Sequence, residues 1–211
     1  KIVTKLIVRA GDVQIKIEIT PVLRGTVYDP VVTSVVPAVE DEFGFAEMQV
    51  VSFADLYAGK IVAALDRQHP RDLFDVRDLL ANEGISDELR RAFLVYLISH
   101  NRPMAEVLAP TRKPLADEFA RGFVGMTQEP VALADLEAAR EAIIAAMVAD
   151  MPNPHRHFLV TFKRGEPDWE LLEIPEARHL PAVLWKQHNL DRLPDDKRRE
   201  LAEALEKALF P

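Results

Sequence analysis

Lys60, Arg67 and Arg71 share one short segment with Asp66, Asp72 and Asp75, in the run Lys60-Ile61-Val62-Ala63-Ala64-Leu65-Asp66-Arg67-Gln68-His69-Pro70-Arg71-Asp72-Leu73-Phe74-Asp75. Lys60 and Arg67 are about two helical turns apart and share a helix face. Asp72 and Asp75 fall one turn apart on the next helix. Such a corner could offer Lys and Arg to phosphates, and Asp to a metal ion or a hydroxyl. The same residues could instead close ion pairs across two helices. Exposed pairs contribute only about 0–1 kcal/mol, so stability alone gives weak reason for so dense a cluster. Spacing by itself leaves both readings open.

Two helices must position these groups. Ser52 followed by Asp55 resembles a capping box and opens the first. Ile61, Val62 and Leu65 supply its buried stripe. Pro70 suits the first turn of the second helix, which Asn82-Glu83-Gly84 should end. Ser86-Asp87-Glu88 starts another, with Leu89, Phe93 and Leu97 along one side. Upstream, residues 2–20 read as a β-hairpin turning at Ala10-Gly11-Asp12. Ile15, Ile17 and Ile19 alternate there with Lys16 and Glu18. Residues 21–46 hold Pro21, Pro30 and Pro37 and read as irregular with one short strand. Met48 to Val51 reads as a further strand. Beyond residue 100 the pattern is helical over 133–148, 157–162, 181–193 and 195–210. Asn153 and Pro154 should cap and start the helix that Gly165 ends. The expected fold class is α+β, with one unit over residues 1–82 and a helical one over 83–211.

At 211 residues, with 48% hydrophobic and 28% charged side chains, the chain has the composition of a soluble globular protein. It contains no cysteine, which removes disulfides, thiolate metal sites and a cysteine nucleophile from consideration. A net charge of −8 excludes a uniformly basic coat for nucleic acid but allows a local basic cleft. No apolar run approaches the ~18 residues of a membrane span, and a cytoplasmic protein is expected. Lys1 is followed directly by the strand pattern Ile2 to Val8, so we expect the natural chain to extend upstream.

Other motifs point less sharply. Glu18 on the polar side of a strand reads first as ordinary outward-facing alternation. His155 and His157 lack a carboxylate at metal-ligand spacing and read as loop histidines. Lys197-Arg198-Arg199 lies on a Glu-rich amphipathic helix and reads as a solvated face. Trp169 and Trp185 read as helix-packing anchors. No phosphate-binding glycine loop, nucleophile elbow or zinc signature occurs.

The segments Lys16-Ile17-Glu18-Ile19, Ser52-Phe53-Ala54-Asp55-Leu56-Tyr57-Ala58-Gly59-Lys60, Ala64-Leu65-Asp66-Arg67 and Pro70-Arg71-Asp72-Leu73-Phe74-Asp75 carry a resemblance. Together they resemble the AbiEii/AbiGii toxin family of nucleotidyltransferases, the toxin half of bacterial type IV toxin–antitoxin and phage-defence pairs. Phe158-Leu159, Glu166-Pro167-Asp168-Trp169 and Leu180 to Lys186 with Asn189-Leu190 extend it more loosely. The resemblance implies a DNA-polymerase-β type of enzyme. It would bind a nucleoside triphosphate with Mg²⁺ and transfer a nucleotidyl group to an acceptor, RNA such as tRNA. Lys60 would contact the triphosphate and Asp72 would be the essential acid. Arg67 and Arg71 would hold phosphates, Asp75 would orient Arg71 or the corner, and Glu18 would be a metal-binding strand carboxylate. The helical half would complete the cleft and face acceptor RNA or a cognate antitoxin.

The family's Gly-Gly-Ser/Thr loop and Asp-x-Asp pair belong before the strand with Glu18, and neither occurs in these residues. Two rival readings are a module that holds nucleotide or RNA without chemistry, and a partner-binding protein whose Arg71, Asp72 and Asp75 only stitch helices.

Overall fold

The computed structural model describes residues 5–18 and 24–210. β1 (Lys5–Ala10) and β2 (Val13–Glu18) pair antiparallel, with Lys5 opposite Glu18 and Val8 opposite Ile15. Gly11, at φ +58°, takes the left-handed turn position that a residue with a Cβ enters only at a cost. The strand positions expected at Ile2, Val3, Thr4 and Ile19, the hairpin end at Thr20 and the irregular start at Pro21 lie outside the described residues. β3 (Val31–Ser34) pairs antiparallel with β4 (Glu47–Val50) in a separate two-stranded sheet. Both sheets keep apolar side chains in solvent, Ile15, Val31 and Met48 among them.

Between β3 and β4 stands α1 (Pro37–Phe43), in a segment expected to be irregular apart from one short strand. Its proline sits in the first turn, where the missing N–H costs nothing and φ is already helical. Proline density was therefore a poor guide there.

The helical part follows the local signals closely. α2 (Phe53–Arg67) is capped by Ser52 Oγ, which accepts from the Asp55 N–H at 3.0 Å. The Asp55 carboxylate does more than close this cap. It accepts the Ser52 hydroxyl at 2.8 Å, and also the backbone N–H of Val27 at 2.7 Å and of Tyr28 at 3.0 Å. Asp55 is buried and ties the chain before β3 to the start of α2. α3 (Pro70–Asn82) ends with the Gly84 N–H donating to the Leu79 carbonyl, and α4 (Asp87–Ile98) is capped by Ser86. α5 (Met104–Leu108), α6 (Ala116–Gly122) and α7 (Leu133–Ile144) follow. A π-helical turn, Ala145–Ala149, continues α7. α8 (Asn153–Arg164), two 3₁₀ turns (Trp169–Leu171 and Pro175–His179), α9 (Pro181–Asp191) and α10 (Asp195–Leu209) complete the chain.

α2 packs on α4, α3 on α7, and α10 on α8. Ile61, Leu65, Leu73, Val76, Leu89, Phe93 and Leu97 are all sealed in one core. Burying each such side chain stabilises the fold by roughly 1.5–3 kcal/mol. That core runs from Ala54 to Leu209 and so crosses residue 82 without a break.

Three further expectations are corrected. Pro152, not Asn153, is the capping residue of α8, and Asn153 is its first helical residue. His155 and His157 stand on that helix rather than in a loop, and burial together with Arg90 and Arg91 pushes the pKa of His155 down. Trp169 is indeed a packing anchor, with its ring 5.1 Å from that of Phe158. Trp185 is not: it is 63% exposed. Val183 and Leu190 are the buried side of α9, and a residue two places from Val183 lies about 200° around the helix.

Replacing Asp55 by Ala would leave two backbone N–H groups without their partner. We expect a loss of about 2–3 kcal/mol in urea unfolding, and a wild-type midpoint would contradict this role. Tyr96 packs against α2 at Gly59. Burial, with the charge of Asp55 beside it, pushes its hydroxyl up to about 12. Spectrophotometric titration of tyrosinate should lose its latest transition in Tyr96→Phe; loss of an early transition instead would contradict this placement.

Candidate active site at the corner of α2 and α3

α2 ends and α3 begins within a few residues, so the two helices fold back on each other at a tight corner. Gln68 makes the reversal in the left-handed region, φ 53° and ψ 37°, and donates its N–H to the Ala64 carbonyl. His69 caps α3, its Nδ1 accepting from the Arg71 N–H at 3.2 Å. Ile61 and Leu65 of α2 are buried in the same core as Leu73 and Val76 of α3, and polar side chains of the two helices pair along one open seam.

Cations of α2 meet acids of α3 along that seam. Lys60 Nζ lies 2.8 Å from Asp75 Oδ2, and both side chains are about one-third exposed. One turn pair closer to the corner, Arg67 grips Asp72 with two bonds, from Nε at 3.1 Å and from Nη2 at 2.7 Å. Asp72 is mostly covered, whereas the Arg67 side chain is 62% exposed. Arg71 turns away from both carboxylates. Its Nε and Nη2 donate to the carbonyl of Gly122 at the end of α6, each at 3.2 Å. Asp75 pairs with Lys60, not with Arg71.

A cleft of about 640 Å³ opens at this corner. Arg67, Gln68, His69, Arg71 and Asp72 form one wall, and Lys113, Pro114, Leu115 and Glu118 form the other. His69 Nε2 faces Glu118 across it at 3.8 Å. Its volume lies within the range of ordinary small-molecule sites. Lys60 does not line this cleft but stands further along the same seam.

Behind the corner, Asp66 gathers a second set of cations. Its carboxylate takes Arg102 Nη1 at 2.7 Å and lies 3.1 Å from His100 Nε2. Burial works to raise its pKa, but the hydrogen bonds and charges of Arg102 and His100 outweigh it and hold the carboxyl below the usual range. Lys186 on α9 donates to the His100 carbonyl at 2.5 Å, and burial lowers its pKa.

Glu18 is not drawn into this group by any bond among the described residues. It stands on the exposed hairpin with Lys16 Nζ at 2.6 Å and Lys5 Nζ at 3.7 Å. Mg²⁺ asks for several oxygen ligands in near-octahedral array. Among the described residues no three His, Asp or Glu side chains converge, and Asp72 and Asp75 already face cations. These residues do not build a metal cage by themselves.

Reading the sequence alone missed Gln68, His69, Lys113 and Glu118 as parts of the cleft. The Gln-His-Pro break between two helices does mark the corner. Nothing local marks Lys113 or Glu118, which arrive from a later part of the chain.

Fold and site thus define a mixed α+β protein with an open, cation-bearing helix corner. Residues 1–189 match the family described as nucleotidyl transferase AbiEii toxin, type IV TA system, and the chain belongs to that family. No curated protein and no solved structure matches the chain. Among the described residues no helix is long and apolar enough to cross a membrane.

A carboxyl whose folded pKa is lowered contributes stability above its unfolded value, about 3.9 for Asp. That contribution fades as pH falls through the folded value. Urea midpoints followed from pH 7 to pH 2.5 should therefore fall further for the wild type than for Asp66→Asn. Parallel curves would contradict the Asp66 hub.

Proposed function

We propose that this chain binds a nucleoside triphosphate along the α2–α3 seam and transfers its nucleotidyl group to an acceptor, RNA such as tRNA. In this reading it is the toxin of a type IV pair used in phage defence, held in check by a cognate antitoxin. It acts in the cytoplasm, where nucleoside triphosphates and RNA are made. One observation carries the reading: Lys60, Arg67, Asp72 and Asp75 stand on one open seam leading to a cleft walled by Arg71, within the segment that matches the family.

The chemistry is an in-line displacement. An acceptor hydroxyl attacks the α-phosphorus and loses its proton to solvent, the bond from that phosphorus to the α–β bridging oxygen breaks, and pyrophosphate leaves with the electron pair. Charge on the departing phosphates needs fixed cations. Lys60 and Arg67 supply them on α2, and Arg71 supplies one across the corner. A phosphate meets the Arg67 Nη1 that Asp72 leaves over and then competes with that carboxylate for the rest of the guanidinium, so nucleotide binding loosens Asp72 inside the cleft. Asp72 is the acid on which activity depends, and Asp75 keeps Lys60 extended along the seam. Mg²⁺ would arrive on the triphosphate itself, since it commonly binds through substrate phosphates and one or two carboxylates. Glu18 is the remaining proposed metal carboxylate.

A second reading is a module that holds nucleotide or RNA without chemistry. It is favoured by the lack of converging carboxylates among the described residues.

Labelled ATP, GTP, CTP or UTP, incubated with the protein, Mg²⁺ and total tRNA, separates the readings. Label should move onto RNA, and Lys60→Ala or Asp72→Ala should cut the rate by about 100-fold or more. Binding that depends on Lys60 with no transfer would establish the module instead. Neither binding nor transfer would leave the seam as architecture.

A further inference from the structure

Gln68 carries more than the chain reversal. Its side chain is almost completely buried, and both ends of its amide are used. Nε2 donates to the Thr111 carbonyl at 2.9 Å, and Oε1 accepts the backbone N–H of Lys113 at 3.1 Å. The left-handed backbone and this two-ended clip together fix the loop over residues 111–113 against the corner. Arg140 on α7 pins the same loop from the other side, with Nη1 donating to the Lys113 carbonyl at 2.8 Å.

The clip decides where the Lys113 side chain goes. Lys113 Nζ crosses to the end of α2 and donates to the carbonyls of Asp66 and Arg67, each at 3.1 Å. Those are among the last carbonyls of the helix, the negative end of its dipole, where a cation is favoured. An ammonium has three N–H donors, so one remains. The arginines of the cleft are in the same condition. Arg67 spends Nε and Nη2 on Asp72, and Arg71 spends Nε and Nη2 on Gly122. The Nη1 group of each has no hydrogen-bond partner among the described residues. Three cations lining one cleft thus each keep a donor in reserve.

We propose that Lys113 is a third phosphate-binding group of this cleft and that Gln68 is its positioning residue. The inference rests on the nucleotide reading above and adds to it the wall opposite Arg67 and Arg71. A triphosphate in the cleft would meet the two arginines at the start of α3 and the end of α2 together with the Lys113 ammonium, which the facing loop extends to the end of α2. Lys113 is exposed and its replacement leaves the core untouched. Gln68 touches no ligand in this scheme. It acts through the loop.

Calorimetric titration with ATP, GTP, CTP and UTP tests this in four proteins: wild type, Lys113→Ala, Gln68→Ala and the double variant, with Lys60→Ala as a control. Lys113→Ala should weaken the best nucleotide by about tenfold or more, as loss of a charged hydrogen bond does. Gln68→Ala should weaken it by a smaller factor in the native background and have no further effect once Lys113 is gone. Such non-additivity marks residues that act through one another. A merely structural glutamine would weaken binding equally in both backgrounds, and that result would overturn its assigned role. Binding that is lost in Lys60→Ala but unchanged in Lys113→Ala would overturn the phosphate role while leaving the nucleotide reading intact. A wild-type chain that takes up none of the four nucleotides would overturn both.

Discussion

The left-handed backbone of Gln68 is the constraint from which the corner is built. A residue with a Cβ in that region is strained by about 1–2 kcal/mol, and the surroundings over-determine it. Its N–H closes α2 on Ala64, its side chain clips the loop at 111–113, and Pro70 two residues later starts α3. Below, Ile61, Leu65, Leu73 and Val76 seal the two helices together. With the apolar stripes fixed inward, the polar stripes have nowhere to go but the shared seam.

What stands on that seam is electrostatically poised rather than strongly bonded. Lys60 with Asp75 and Arg67 with Asp72 are pairs in contact with water, and pairs of that kind add little to stability. The same weakness suits them to exchange. A phosphate brings more negative charge and more acceptor oxygens than a carboxylate, and charged hydrogen bonds to it are among the stronger ones available. On a chain of net charge −8 these cations do not coat a surface; they are concentrated where helix ends and a facing loop can hold them. Asp66, Arg102 and His100 buttress the back of the corner, and Lys186 ties α9 to it.

How far the sequence spoke depended on the range of the interaction. Ser52, Pro70, Ser86 and Gly165 act within a turn of themselves, and the helices they bound lie where those residues place them. Lys60 and Arg67 share a face, and so do Asp72 and Asp75, because helical pitch requires it. The pairing between the faces was open from spacing alone and needed the corner to decide it. Asp55 was legible as part of a cap, but its bonds to Val27 and Tyr28 join segments far apart in the chain. Lys113 and Glu118 were invisible for the same reason. α1 is hidden in the sequence because a residue that breaks helix interiors stands here in the first turn, where it starts one. Trp185 stands in solvent, because the position of Val183 on α9 decides which side faces inward.

The proposed nucleotide seat lies on the α2–α3 corner and against the loop that faces it. Amide hydrogen exchange, followed by mass spectrometry with and without each nucleoside triphosphate in the presence of Mg²⁺, tests it most directly. Exchange over residues 60–75 and 111–118 should slow with at least one nucleotide. Unchanged exchange in both segments, with protection elsewhere or none at all, would contradict it.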